Sequence, residues 1–363
     1  MRLERGRVVE VRSVEALDRR LARGVASLSG WHLLSLDLTT YDDALRRLDV
    51  AGALFLGCTF ADGTAAHVVH RGAIVFPVVP DVPVDPYRTD LYTADELYDV
   101  AEYADTLDAR AYAWSQQPAD RDALLARALH DHAVDDALAA WTRDHTLVGV
   151  MGGHALARGS DGYAAAARLG RALASSYTVA TGGGPGAMEA ANLGAWLSPA
   201  PDTALDEALA GLARVPSFRP DAGAWVRAAH QVRDRFPYGG DSLGVPTWHY
   251  GHEPPNAFAT AIAKYFGNPV REAILLQICD AGIVFLPGAG GTVQEVFQDA
   301  CENYYADESS VAPMVLVGST YWTEELPAWP LLEALARGRP MEPHVHLVDT
   351  VEEAVALVAG GHS

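Results

Sequence analysis

The chain has 363 residues, 27 basic and 47 acidic side chains, a net charge of −20, and a composition that is 49% hydrophobic and 20% charged. This is the make-up of a folded globular protein with material for two domains, and its acidic balance excludes the Lys- and Arg-based capture of a nucleic-acid backbone. No apolar run approaches the ~20 residues that cross a bilayer, Met1-Arg2-Leu3-Glu4-Arg5 lacks the apolar segment of a signal peptide, and Cys58, Cys279 and Cys301 have neither disulfide nor zinc spacing, so the expectation is a cytoplasmic protein without membrane or nucleic-acid partners, metal or resident cofactor.

Along the chain, Arg7–Arg12, Trp31–Leu38, Ala51–Cys58 and Gly72–Val79 read as short strands. Helical periodicity lies between them over Ser13–Arg23 and Tyr41–Leu48. They predict a small α/β domain over residues 1–90, closed by the turn-rich "VVPDVPVDPYRTD". It has no phosphate-type turn, and no internal repeat stands out. Leu91–Arg143 reads as a helical connector interrupted at Ser115–Asp120.

From residue 144 to 363, strands and helices alternate. Strands are expected at Thr146–Met151, Tyr177–Ala180, Val245–Tyr250, Ala281–Leu286, Val311–Val317 and Val345–Val348. Helices are expected at Tyr163–Ser175, Met188–Leu197, Ala222–Arg235, Asn256–Phe266, Pro269–Cys279, Val293–Tyr305 and Val351–Val358. The alternation predicts an α/β fold with a doubly wound, Rossmann-like parallel sheet.

Three glycine-bearing turns fall where strands end. Gly152 and Gly153 follow the first strand, with His154 and Arg158 beyond them. The turn Thr181–Glu189 (TGGGPGAME) contains Gly182, Gly183, Gly184, Gly186, Met188 and Glu189, and Pro185 suits a first helical position. The turn Leu286–Glu295 (LPGAGGTVQE) contains Gly288, Gly290, Gly291, Thr292 and Glu295. Glycines there let a ligand reach the backbone, and the N–H groups of the following helix then face an anion, usually a phosphate. Thr292-x-x-Glu295 also spells a capping box, which is the structural alternative for those two side chains. Neither turn is a dinucleotide fingerprint or a Walker loop. Arg271 falls in the first turn of a helix opened by Asn268-Pro269, where a cation opposes the helix dipole and calls for an anion nearby. That anion is either a carboxylate, Glu272 or Glu295, or a ligand phosphate.

"TGGGPGAMEAAN" and "PGAGGTVQE" together resemble the Lonely Guy (LOG) family, whose hallmarks are GGGxxGxM and PGGxGTxxE. Ala289 departs from the second glycine of PGG, and Gly290-Gly291 restore the turn. The stretch 245–305 is similar to the larger bacterial members that act as nucleotide 5′-monophosphate nucleosidases. The resemblance runs from residue 144 to the C-terminus. It implies hydrolysis of the N-glycosidic bond of a nucleoside 5′-monophosphate to free base and ribose 5-phosphate. In that reading Gly290, Gly291 and Thr292 hold the phosphate with Gly183 and Gly184, Glu295 lies beside the ribose, and Arg271 assists as the second catalytic residue. Gly153, Gly182, Gly186, Met188, Glu189, Gly288, His252, Glu253 and Asn256 complete the substrate-binding set. A homo-oligomer, dimer or tetramer, is implied by the resemblance alone.

Three other readings are weaker. Lys264 is the only lysine and sits in no recognisable cofactor site, so a pyridoxal-dependent decarboxylase is rejected. Gly240–Gly244 spells G-x-S-x-G but precedes a strand, which is the wrong context for a nucleophile elbow. The His249–Asn256 loop carries two histidines, but Pro254-Pro255 forbids the helix of a zinc H-E-x-x-H. The alternative function is a non-catalytic carrier or sensor of a nucleotide or molybdenum cofactor on the same fold.

Overall fold

The computed structural model describes residues 9–249 and 253–360. They form two compact units: the described part of Met1–Asp90 with Pro118–Ala137, and Leu91–Gln117 with the described part of Leu138–Ser363.

The first unit runs β1 (Val9–Val11), α1 (Val14–Leu21), β2 (Trp31–Leu34), β3 (Asp37–Leu38), α2 (Asp42–Arg47), β4 (Leu54–Leu56), β5 (Thr59–Phe60), α3 (Thr64–His70) and β6 (Ile74–Phe76). Ser13 caps α1 by accepting the Ala16 N–H. β1, β2, β4 and β6 pair in that order, all parallel, and β3 pairs with β5. The register is periodic. Val9 faces Trp31, His32 faces Leu54 and Asp37 faces Thr59, each a step of 22 residues, and Leu54 faces Ile74 after a step of 20. An internal repeat is therefore present where the sequence reading finds none. The repeats share burial positions instead of letters: Leu33 and Phe55 are both buried, as are Leu36 and Cys58. Asp42 and Thr64, one step apart, hydrogen-bond to each other. Stacked units of this kind bury together an apolar face that none could bury alone.

Next come α4 (Ala94–Leu97), α5 (Leu107–Ser115) and α6 (Arg121–Trp141). The stretch read as a connector is divided, 91–117 belonging to the second unit and 118–137 to the first.

The second unit continues with β7 (Leu147–Met151), α7 (Asp161–Leu173), β8 (Thr178–Thr181), α8 (Ala187–Trp196), α9 (Asp202–Leu212), α10 (Ala222–Arg235), β9 (Ser242–Gly244) and β10 (Ala261–Ile262). It closes with α11 (Asn268–Gln277), β11 (Ile283–Phe285), α12 (Gly290–Tyr305), β12 (Met314–Val317), α13 (Trp329–Ala336), β13 (Val345–Val348) and α14 (Val351–Gly360). Seven parallel strands lie in the order β10-β9-β8-β7-β11-β12-β13. This is the doubly wound, Rossmann-like sheet. From β7 the chain winds one way through β8, β9 and β10, then returns to β11 on the other side of β7 and winds outward. In open α/β sheets, ligands bind at the carboxyl ends of strands flanking such a reversal. Among the described residues no helix is long and apolar enough to cross a membrane.

Two expected elements are corrected. The strand expected at Val245–Tyr250 lies earlier, at Ser242–Gly244, and past Pro246, which has no N–H to donate, pairing is reduced to an isolated parallel bridge between Thr247 and Tyr265. Tyr250 itself is outside the described residues. The helix expected at Asn256–Phe266 does not form. Asn256 Oδ1 accepts the N–H groups of Phe258 and Ala259 at 3.2 Å, a local turn that competes with helix. Ala261 and Ile262 then add to the sheet edge beside β9. Helices α9 and α13 occupy stretches to which the sequence reading assigns nothing.

Helices α7 and α8 meet backbone to backbone. A methyl at Gly170 would overlap the Ala191 carbonyl, and one at Gly194 the Ala167 carbonyl. Because main chain cannot step aside, Gly194→Ala should destabilise the protein by about 3 kcal/mol, the upper end of overpacking costs, read as a lowered denaturant midpoint. A midpoint equal to wild type would show that the two helices can separate freely.

Candidate functional site

The turns after β7 and β11 are fastened by main chain, the Gly153 N–H donating to Pro287 O at 3.1 Å. The β8 turn joins them, because the Ala187 N–H donates to Gly153 O at 3.1 Å. Asn256 N–H donates to Gly183 O at 2.8 Å and brings in the 253–256 loop. Three glycines make these approaches sterically possible. Gly183 (φ 71°) and Gly186 (φ 75°) are left-handed, and a Cβ at Gly183 would stand 2.6 Å from Pro246 Cδ. A Cβ at Gly186 would overlap the Gly153 carbonyl, and one at Gly288 the Thr292 hydroxyl.

Gly290 and Gly291 differ. Both are exposed, and a Cβ on either would meet open space. They begin α12, whose N-cap is Ala289 and which no side chain among the described residues caps. The capping-box alternative therefore fails, since Thr292 is the third helical residue and not the cap. The helix presents its uncapped first turn and positive dipole end to an approaching anion.

Beside this turn lies a cavity of about 490 Å³. Of the residues expected at the site, it brings together Gly153, Gly182, Gly184, Met188, Glu253, Arg271, Gly291, Thr292 and Glu295. Glu189 and Asn256 are fully buried and engaged elsewhere. Glu189 holds Arg158 through both carboxylate oxygens, and Asn256 Nδ2 donates to Gly184 O and Asn192 Oδ1. Both brace the turns from behind. His252 lies outside the described residues.

Glu295, on the second turn of α12, is the chemically distinctive group. It accepts no hydrogen bond among the described residues, and Arg271 Nη1 stands 4.0 Å from its Oε1. Burial pushes its pKa up to about 7, against the pull of Arg271 and with help from the Glu272 charge. Arg271 sits in the first turn of α11, which begins at Asn268 with Gly267 as N-cap, one residue earlier than the sequence suggests. Its Nη2 donates to Asn268 Oδ1 at 3.0 Å and to Glu272 Oε1 at 3.2 Å, so it meets both carboxylates considered for it. Its Nε is buried without a partner among the described residues. Glu272 also accepts from Asn268 and Gln294, and this four-residue network aims the guanidinium. The sequence reading misses Gln294 and the bracing role of Glu272. Their proximity depends on α11 lying against α12, and only the adjacency of Glu272 to Arg271 hints at it.

The G-x-S-x-G serine is structural. Ser242 is buried within β9, and its hydroxyl donates to Phe258 O. Lys264 is fully buried against Asp108, which also accepts from Trp248 Nε1 at 2.8 Å. Arg158 is buried in an ion pair with Glu189.

No protein-family model matches the sequence, and no curated protein matches it. Among solved structures, the chain is similar to the molybdenum cofactor binding protein of the phototrophic bacterium Rippkaea orientalis, with 16% identity, 60% of this chain and 98% of that one covered, and a TM-score of 0.36. It is also similar to the molybdenum cofactor carrier protein of Chlamydomonas reinhardtii, with 18% identity, coverage of 59% and 96%, and a TM-score of 0.36. A third, TM1055, has 18% identity, coverage of 58% and 98%, and a TM-score of 0.34. The Rossmann-like class is defined by the parallel sheet and its reversal beside β7.

Because the Glu295 carboxyl binds its proton more tightly folded than unfolded, its ionisation costs stability as pH rises from about 4.5 to about 7, on the order of 3 kcal/mol. Glu295→Gln should therefore gain stability relative to wild type between pH 4.5 and pH 8, measured as the difference in Tm. A pH-independent difference would mean that the carboxyl titrates normally.

Proposed function

We propose that this protein hydrolyses the N-glycosidic bond of nucleoside 5′-monophosphates, releasing free base and ribose 5-phosphate. The observation that carries the reading is Glu295, a desolvated carboxyl without a hydrogen-bond partner among the described residues, beside an uncapped helix start and one arginine. A carboxyl perturbed by burial beside a specific charge partner in a cleft is a candidate functional group.

In this mechanism the 5′-phosphate lies on the N–H groups of Gly290, Gly291 and Thr292. Rupture of the C1′–N bond leaves positive charge on the ribose, as in other glycoside hydrolyses. The ionised Glu295 stabilises that charge and takes a proton from the water that adds to C1′. The base leaves with the electron pair of the broken C1′–N bond and takes up one proton from solvent, while Glu295 releases to solvent the proton it took from water, so that each turnover consumes one water. Arg271 offers its charge to the phosphate or to the leaving base, held in place by Asn268 and Glu272.

The test is incubation with a panel of nucleoside 5′-monophosphates, with base and ribose 5-phosphate quantified. Glu295→Gln should lose at least ~10²-fold in turnover. Since the ionised form does the work, wild-type kcat/KM should rise with pH through about 7, and that limb should vanish in the variant. Wild-type-like turnover in a folded Glu295→Gln protein would sink the assignment. Tight binding of nucleotides that remain intact would instead make the protein a carrier or sensor.

A further inference from the structure

The loop that carries Glu253 and Asn256 lies within residues 248–264, where β10 is the only regular element among the described residues. A stretch with so little ladder or helix of its own takes its shape from hydrogen bonds to other segments. Residues 91–117 supply three such ties. Asp108 on α5 accepts from Trp248 Nε1 at 2.8 Å and pairs with Lys264 Nζ. Tyr92 N–H donates to Ile262 O at 2.9 Å, and Ile262 N–H returns the bond to Tyr92 O at 2.8 Å. Between these, the Tyr98 hydroxyl donates to Pro255 O across 157 residues of sequence. What the sequence reads as part of a connector is a brace for this stretch.

The Tyr98 tie acts nearest the cavity. Pro254 and Pro255 have a fixed φ and no N–H, so the chain between Glu253 and Asn256 is stiff and is gripped by a carbonyl. On one side of it, Asn256 N–H donates to Gly183 O at 2.8 Å. On the other, Glu253 lines the cavity, and His154 Nε2 stands 3.8 Å from its Oε1, too far for a hydrogen bond. The carboxylate is therefore placed by the backbone that carries it. Tyr98 is 9% exposed, with ring centroids of His230 and Tyr103 at 5.8 and 6.1 Å from its own. It is not among the walls of the cavity, so it acts on the site through Pro255.

We propose that Tyr98 is a positioning residue of the nucleotide site, whose hydroxyl fixes the Pro255 carbonyl and thereby sets where the Glu253 carboxylate stands against the ligand. The inference rests on the nucleotide reading above for the ligand, whereas the grip on the loop is measurable without one. Tyr98→Phe removes the hydroxyl and leaves the ring between Tyr103 and His230.

Two readouts test it. Amide hydrogen exchange of the free protein should quicken about fivefold at Asn256 in Tyr98→Phe, the equivalent of one neutral hydrogen bond, with β7 and β11 unchanged. Affinity for nucleoside 5′-monophosphates is measured by calorimetry in a Glu295→Gln background, which suppresses turnover. Tyr98→Phe should weaken it by about the same factor, and by less than about twofold once Glu253→Ala is also present, since the two substitutions then remove one effect. Exchange at Asn256 equal to wild type would overturn the proposal. So would an affinity loss that is the same with and without Glu253, or a lowered Tm with both readouts unchanged, which a merely structural tyrosine would give. Faster exchange at Asn256 in a protein that binds no nucleotide would support the grip on the loop and overturn the nucleotide reading instead.

Discussion

The site depends on direct contact between main chains. The turns after β7, β8 and β11 are joined by hydrogen bonds from Gly153 to Pro287 and from Ala187 to Gly153. At these crossings the main chains approach more closely than a Cβ would allow. Gly183, Gly186 and Gly288 supply that proximity, and each would clash if it carried a Cβ. Once the turns are zipped together, the start of α12, the β8 turn and the 253–256 loop have little freedom relative to one another. The cavity is what remains between them.

A tension between burial and charge follows. Glu295 and Arg271 are held on different helices at 4.0 Å, too far for a hydrogen bond and too near to ignore each other. A closer pair would lock the carboxylate in its ionised form. A more distant one would leave burial unopposed. The spacing holds Glu295 near neutrality, where it can exchange a proton at physiological pH. Glu272, Asn268 and Gln294 keep the arginine from closing the gap. Folding stability bears the cost, as it commonly does where a site stores unfavourable electrostatics.

The buried polar pairs around this centre share a logic. Glu189 with Arg158, and Asp108 with Lys264, are fully withdrawn from water yet partnered, each with an indole alongside. Buried ion pairs of this sort add little net stability, but removing one partner is expensive. What they provide here is fixed orientation. Arg158 becomes immobile, while Trp248 is held beside Thr247, which lines the cavity.

Much of this was legible in the sequence because its signals are local. Alternation of apolar runs with periodic segments showed the parallel sheet, and the paired glycine turns showed where its strands end. Glu295 and Arg271 could be singled out by their offset from helix starts. What failed was non-local. The helix read over Asn256–Phe266 yields to an Asn256 turn and a strand partner in β9. The 22-residue repeat of the first unit is a repeat of burial, invisible to letter identity. The sequence by itself determined the Rossmann-like class and the glycine turns at its strand ends, since glycine and helix-start chemistry act within a few residues. Tertiary structure alone decided that Thr292 is no cap, that Glu189 is consumed by Arg158, and that Glu295 stands 4.0 Å from Arg271 with no hydrogen bond among the described residues. Desolvation and pairing are set by neighbours distant in the chain.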